Sequence, residues 1–424
     1  IDREYDERGN LAVVSYFGAD GKPLVHGEGW SVRRTAYDEV GNPAEEAFRN
    51  AEGGPTLGDR GFARVVWAYD ERGNVAEELY FAVDGKRTLR SDGYSRLVAG
   101  YDERGNRVQE AFFGAADEPV LCDGGYASRA MAYDEQGNRT EDRYFGTDGK
   151  PTLHRDGYAR VAARYDERGN RIEATFFDAS DAPALNAQGF ARTTAEYDGR
   201  GHETEVAYFG PEDKPAVHQD GCAARSSRYD ERGRLVETIC RGTDGQPAFR
   251  REGYAIERRT YDERGNPAET AYLDAAERPA LSSGGFAGIR TSWDEAGNDV
   301  ETTWLGVDGA RTTTKEGCAA THRKFDDRGL VTEETCLGVD GRPAPSLQGY
   351  ASRRARYDER GRQVEETYFD ADARPATHVE GYAGWQATHD ARGRVVEKSF
   401  LGPDGRLTAD RTGVARWAHV YDAR

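Results

Sequence analysis

Apolar residues in this chain stand at even spacings inside short runs, and the runs end in glycine-containing turns and return every 32 residues. Three residues past each turn glycine comes a mostly apolar position, as at Ala76, Ile172, Val236, Val300, Val364 and Val396. An aromatic usually follows four residues later, as at Tyr80, Phe176, Trp304, Tyr368 and Phe400. Even spacing between turns marks half-buried strands, because successive side chains of a strand point to opposite faces. Segments such as Ala63-Arg64-Val65-Val66-Trp67-Ala68-Tyr69 supply the strand before the turn, and no window sustains a helical period. Each unit therefore reads as a β-hairpin followed by a second turn and a shorter extended connection such as Thr152-Leu153. The expected fold class is all-β: tandem 32-residue β-hairpin repeats stacked into an elongated, twisted spiral sheet or β-solenoid.

The phase is set by a Tyr-Asp turn that begins at Tyr5-Asp6-Glu7-Arg8-Gly9-Asn10 and occurs fourteen times in all, with variants at Trp293, Phe325 and His389. No insertion or deletion interrupts it between Asp6 and Asp422. Residues 1–424 are accordingly expected to be a single continuous array of about 13 units of 32 residues, truncated at both ends, in which each unit buries its apolar face against its neighbours. The turn Asp (Asp6, Asp38) and turn Gly (Gly9, Gly41) are structural expectations, since Asp can bond the backbone ahead of it and Gly accepts positive φ. A second glycine twenty residues later (Gly29, Gly61) is equally constant and is followed in most repeats by an aromatic and then by Ala or Ser.

Charge narrows the partners. The formal net charge is −18 and the mean hydropathy −0.85, with no basic stripe, so nucleic acid and anionic membranes are not expected. No apolar run is long enough for a membrane span. The sequence begins at Ile1 and starts and stops in mid-repeat, which suggests a processed product or a piece of something longer.

Placed in phase, the cysteines form a pattern. Cys222 and Cys318 replace the aromatic after the second glycine, and Cys240 and Cys336 replace the strand aromatic. Both pairs are 18 residues apart, so each cystine would stand where two aromatics face one another across a hairpin. Disulfides Cys222–Cys240 and Cys318–Cys336 are predicted, implying an oxidising, extracellular or cell-surface location; the alternative is buried thiols packed as small hydrophobes. Cys122 falls at a mostly polar position and is expected to be exposed and unpaired.

Catalytic chemistry finds no foothold. His26, His154, His218 and His378 share one repeat position but never occupy neighbouring units, so they are read as solvated loop residues and not as converging metal ligands. The recurrent strand Glu (Glu45, Glu77, Glu141, Glu173) is expected to form an outer ladder with turn arginines such as Arg8, Arg72 and Arg104. The Asp-rich turns raise calcium as the one cofactor alternative to none. Neither a GxSxG, HExxH, P-loop nor CxxC arrangement occurs, and the chain is read as a non-enzyme.

The recurring Tyr-Asp-Glu-Arg-Gly-Asn, preceded by strands such as Arg160-Val161-Ala162-Ala163-Arg164, resembles the YD repeat of the RHS family, with a longer period and an added Asp-Gly-Lys-Pro turn. The resemblance implies a spiralling β-sheet in secreted or surface proteins, which in that family can form hollow shells around toxin domains. The leading expectation is a non-enzymatic extracellular structural protein, a segment of a fibre, sheath or cell-surface array that self-associates end to end or laterally. Trp417, Val420 and Tyr421 lie on a terminal strand that could add to another chain. The alternatives are a surface adhesin or glycan-binding stalk, and an RHS-like shell enclosing a toxin domain.

Overall fold

A computed structural model describes residues 1–18, 21–390 and 393–419. Among these residues the chain is all-β, with 27 strands, antiparallel pairing and no helix. Among the described residues it divides into two units, one made of Ile1–Tyr197 with Ala207–His218 and the other of Asp198–Val206 with residues 219–419. Both repeat the same motif.

Within the first unit the hairpin of Arg64–Tyr69 and Val75–Phe81 is representative. Six residue pairs join its strands, from Arg64↔Phe81 to Tyr69↔Val75, with a bulge before the tyrosine where Ala76 is passed over. The link to the next hairpin is shorter: Glu77↔Val98, Glu78↔Leu97 and Leu79↔Arg96. Every repeat for which both pairings are described shows this long and short alternation, as in Ile256–Tyr261 with Pro267–Leu273 in the second unit.

The connection between hairpins is more ordered than a plain extended linker. After Phe81 the chain turns back, making a single bridge Phe81↔Arg87, and Thr88 N–H donates to the Tyr80 carbonyl at 3.0 Å. A third turn at Arg90–Tyr94 then leads into the next strand. All three turns of the repeat share one backbone scheme, a five-residue closure plus a glycine N–H donated back to the first residue. It appears as Asp70/Asn74, Ala82/Lys86 and Arg90/Tyr94, with Gly73, Gly85 and Gly93 at φ of 84°, 77° and 93°. This is the three-residue hairpin loop whose last position is left-handed.

Alternation then sorts the side chains. Glu78 and Tyr80 share one face with Val65 and Trp67, while Glu77, Leu79 and Phe81 share the other with Arg64. The first face carries the continuous core: Trp30, Phe48, Phe62, Val65, Tyr80, Tyr94, Leu97, Phe112, Tyr126 and Tyr144 are buried together.

Candidate functional site

The turn residues singled out in the sequence hold the array together locally. Asp70 Oδ1 accepts the N–H groups of Arg72 and Asn74, and Oδ2 accepts the Asn74 side-chain amide at 2.9 Å. Asp6 and Asp38 do the same with Asn10 and Asn42, and Gly9 and Gly41 close those turns at φ of 87° and 97°. No cluster of three His, Cys, Asp or Glu able to hold a metal occurs among the described residues. The tyrosine before each Asp reaches the preceding repeat: Tyr69 donates its hydroxyl to the Pro43 carbonyl and Tyr101 to Val75. Trp293 keeps that bond through Nε1, which donates to Pro267 at 2.8 Å.

The turn arginines behave differently from the sequence expectation. Arg8 donates to the carbonyls of Asp38 and Glu39, and Arg104 to Glu135, so they staple one turn to the next and do not pair with the strand glutamates. A Glu–Arg ladder does exist, but its arginines come from the start of the following hairpin: Arg64 meets Glu45 at 2.8 Å and Arg160 meets Glu141 at 3.3 Å. Cross-strand pairing explains the change, because Ala47↔Arg64 places Glu45 two residues along the same face. The same guanidinium lies over a ring of its own hairpin, Arg64 on Phe81 at 4.0 Å and Arg160 on Phe177 at 3.5 Å.

On the opposite face the rings form a column. Trp30, Phe48, Phe62, Tyr80, Tyr94, Phe112, Tyr126, Tyr144, Tyr158, Phe176, Phe190 and Tyr208 follow one another with centroids 4.7–5.9 Å apart. Sequence spacings of 18 and 14 alternate along it and add to one period. Cys222–Cys240 and Cys318–Cys336 are disulfide-bonded, each with Cα atoms 5.3 Å apart, at the two places in the second unit where the 18-residue ring pair is missing. The histidines are not solvated loop residues. His26 stacks on Tyr16 at 4.5 Å, His218 on Tyr208 at 4.7 Å, and His154 lies 5.0 Å from Tyr144, where burial lowers its pKa. Cys122, at the same repeat position, is unpaired but packs half-buried against the column and is not exposed.

Gly29 and Gly61 sit on the third turn at φ of 91° and 81°. Successive third turns touch through their backbones, with Ser91 N–H donating to Arg60 and Arg155 to Gly124. A Cβ on Gly29 would lie 3.1 Å from the Leu57 carbonyl of the next turn, so the constant glycine answers both positive φ and close approach. At the chain ends, Asp2–Tyr5 is a short exposed strand paired with Leu11–Ser15, and Arg416–Ala418 pairs with Val395–Leu401. Trp417 lies in that last strand with its ring 4.5 Å from His419, while Val420 and Tyr421 fall outside the described residues.

Sequence reasoning missed a buried charged strip on the column face. Position by position it reads Glu46, Glu78, Glu110, Asp142 and then Ala174. Glu110 and Asp142 are each only 4% exposed. Arg129 stands between them, 3.1 Å from Glu110 and 3.8 Å from Asp142, and Arg139 adds a 3.1 Å contact to Asp142. Burial nevertheless pushes the Asp142 carboxyl above its ordinary range against the pull of both arginines. The signal was available, since acidic residues at a strand's core-facing phase want a buried partner.

Beyond Asp142 the strip ends and a groove of about 330 Å³ opens. Val161 and Ala163, which line it, occupy positions held by Arg129 and Met131 one repeat earlier, so small side chains replace large ones, while Ala174, in the place of Asp142, is fully buried and does not line it. Tyr144, Tyr158, Phe176, Asp156, Asn186 and Gln188 complete the walls. From Trp30 to Tyr208 every ring of the column is buried except Tyr158 and Phe176, which are half-buried at this groove.

No family model and no curated protein matches the chain. Among solved structures, the crystal structure of TcdB2-TccC3-TEV is similar with a TM-score of 0.38 at 11% identity, covering 93% of this chain and 22% of that one. A structure of the Photorhabdus luminescens Tc holotoxin pore bearing a TccC3 mutation gives 0.36 at 12% identity, over 96% of this chain and 22% of that one. A porin-like protein from Bacteroides uniformis scores 0.16 at 9% identity, over 57% of this chain and 89% of that one. This chain thus spans 22% of the length of the first two.

Proposed function

We propose that this chain is a non-enzymatic structural repeat segment of an extracellular or cell-surface assembly, and that it associates laterally with copies of itself. The observation that supports the reading is a row of exposed apolar side chains, one in each of six successive repeats from Leu57 to Val217, each just before a third turn. Leu57, Leu89, Leu121, Leu153 and Leu185 are 45–51% exposed, and Val217 continues the row at 50%. Scattered exposed leucines need no explanation, but a file of them at one repeat position does. Two strands per repeat at roughly 4.8 Å each separate the teeth by about 10 Å, which leaves room for another such row to interdigitate. A second copy carries that period by construction, which favours self-association over an unrelated partner. The two disulfides fit an oxidising compartment.

Sedimentation of the whole chain across a concentration series tests this reading, alongside the triple variant Leu89→Ser, Leu121→Ser, Leu153→Ser. Concentration-dependent assembly that the variant loses, with its circular dichroism unchanged, is the expected result. A chain that stays monomeric at high concentration, or assembly indifferent to the serines, sinks it. A hollow single-chain particle in electron micrographs would replace it with a shell.

A further inference from the structure

The charges beside the exposed row give it a direction, and we propose that two copies pair along it antiparallel, as a closed two-fold dimer. This pairing rests on the lateral self-association proposed above and gives it an orientation and an end point. The six teeth from Leu57 to Val217 are alike, so by themselves they fit a second row in either direction. Their neighbours are not alike. Glu118 and Asp123, on either side of Leu121 in sequence, are exposed acids. One repeat later the same two positions hold Lys150 and Arg155, exposed bases on either side of Leu153. No other two neighbouring repeats of the row reverse charge at both positions. Asp148 and Asp156 temper the Leu153 side, whereas residues 114–126 contain no base at all. Leu121 and Leu153 are the third and fourth of the six teeth, so the reversal falls at the midpoint of the row.

That midpoint selects one arrangement. A parallel pair in register sets each repeat against its own copy, so the acids beside Leu121 would face the same acids of the other chain. Like charges brought together at an interface are costly and exclude the arrangement. An antiparallel pair centred between Leu121 and Leu153 sets the acidic repeat against the one that carries Lys150 and Arg155. The two-fold axis makes that contact twice. In the same register the Leu57 repeat meets the Val217 repeat and the Leu89 repeat meets the Leu185 repeat, so all six teeth are matched. Sliding by one repeat leaves a tooth unmatched on each copy and returns one of the two central repeats to its own copy. Pairing about a two-fold axis uses up both rows, so this surface makes a dimer and nothing larger.

Two charge swaps in the whole chain test the orientation. One is Lys150→Glu with Arg155→Asp, the other Glu118→Lys with Asp123→Arg, and each places a residue that a neighbouring repeat already carries at that position. Sedimentation equilibrium of the parent chain should show monomer and dimer only. Each swap alone should raise the dissociation constant at least about tenfold, because it leaves like charges at the centre of the pair. The second swap turns two acids into two bases and so brings the net charge of −18 closer to zero, which by general repulsion would strengthen association. Mixed in equal amounts, the two swapped chains should pair with one another about as tightly as the parent does with itself, and circular dichroism checks that each folds. Either swap dimerising like the parent, a mixture that fails to pair, or growth of the parent past a dimer overturns the antiparallel pair and leaves self-association standing. A parent chain that stays monomeric at high concentration removes both.

Discussion

Gly253 and Gly245 show how differently two glycines at positive φ are constrained. Gly253, on a third turn at φ 96°, would place a Cβ 2.8 Å from the Leu281 carbonyl. Gly245, on a second turn at φ 76°, would meet nothing within 4 Å, and its counterparts Asp117, Asp181 and Asp213 adopt the same conformation. Gly253→Ala is therefore expected to cost about 2 kcal/mol or more, and Gly245→Asp less than about 1 kcal/mol, in denaturant unfolding. The turn carboxylates act at the same scale. Hydrogen bonds from their own turn, the Asn side chain first, hold Asp6, Asp70 and Asp166 below the ordinary 3.8, and the Arg362 side chain takes Asp358 down to about 2. A lowered carboxylate contributes stability above its unfolded pKa and loses it as pH falls through the folded value. Melting temperature should accordingly drop progressively from about pH 4 toward pH 2. A flat profile across that window would mean the turn bonds contribute nothing net.

The hairpin sets the next scale, where the two charge ladders differ in kind. The outer pair Arg64–Glu45 has side chains 33% and 41% exposed, and replacing Glu45 with Gln should change stability by no more than about 1 kcal/mol. Glu110 and Asp142 are buried around Arg129, so Arg129→Met leaves each carboxylate with one arginine, Arg107 for Glu110 and Arg139 for Asp142, and should cost about 1–3 kcal/mol near neutral pH. The loss should shrink in acid, where Asp142, raised by burial, becomes neutral at a higher pH than an ordinary aspartate. A pH-independent loss would assign the effect to packing alone. The cystines are tested on the same hairpins. Changing both Cys222 and Cys240 to Ser should cost about 3 kcal/mol, the chain-entropy value for a short loop. The pair Cys222→Phe, Cys240→Tyr should recover much of it by restoring the Phe62–Tyr80 arrangement seen at 4.8 Å.

At the scale of the whole molecule, repeats communicate through the same few bonds each time. These are the tyrosine hydroxyl to the preceding strand, the turn arginine to the following turn, and the third-turn N–H to the preceding carbonyl. An array of this kind has nearest-neighbour energetics, so a whole period is removable. Deleting residues 101–132 joins Gly100 to Tyr133 in phase and should preserve far-ultraviolet circular dichroism per residue with a modest drop in melting temperature. Deleting residues 101–116, half a period, joins strand to turn and should abolish cooperative unfolding. Equal outcomes would contradict the phase as the organising unit.

Much of this protein was legible in order of residues alone. Strand and turn positions, the closing Asp and Gly, and the Cys pairing all follow from short-range geometry, because a hairpin brings together residues whose separation the turn dictates. Contacts between hairpins were not legible in the same way. His154 reaches Tyr144 inside one repeat, across the second turn that returns Thr152 to the Tyr144 carbonyl, but which arginine meets Glu45 depends on the offset between one repeat and the next. That offset is set by the third turn and its close backbone approach, which no residue type announces by itself. The groove belongs to the same class. Val161 and Ala163 are ordinary small residues in sequence, and only stacking against a rung that ends in Asp142 makes their smallness a space.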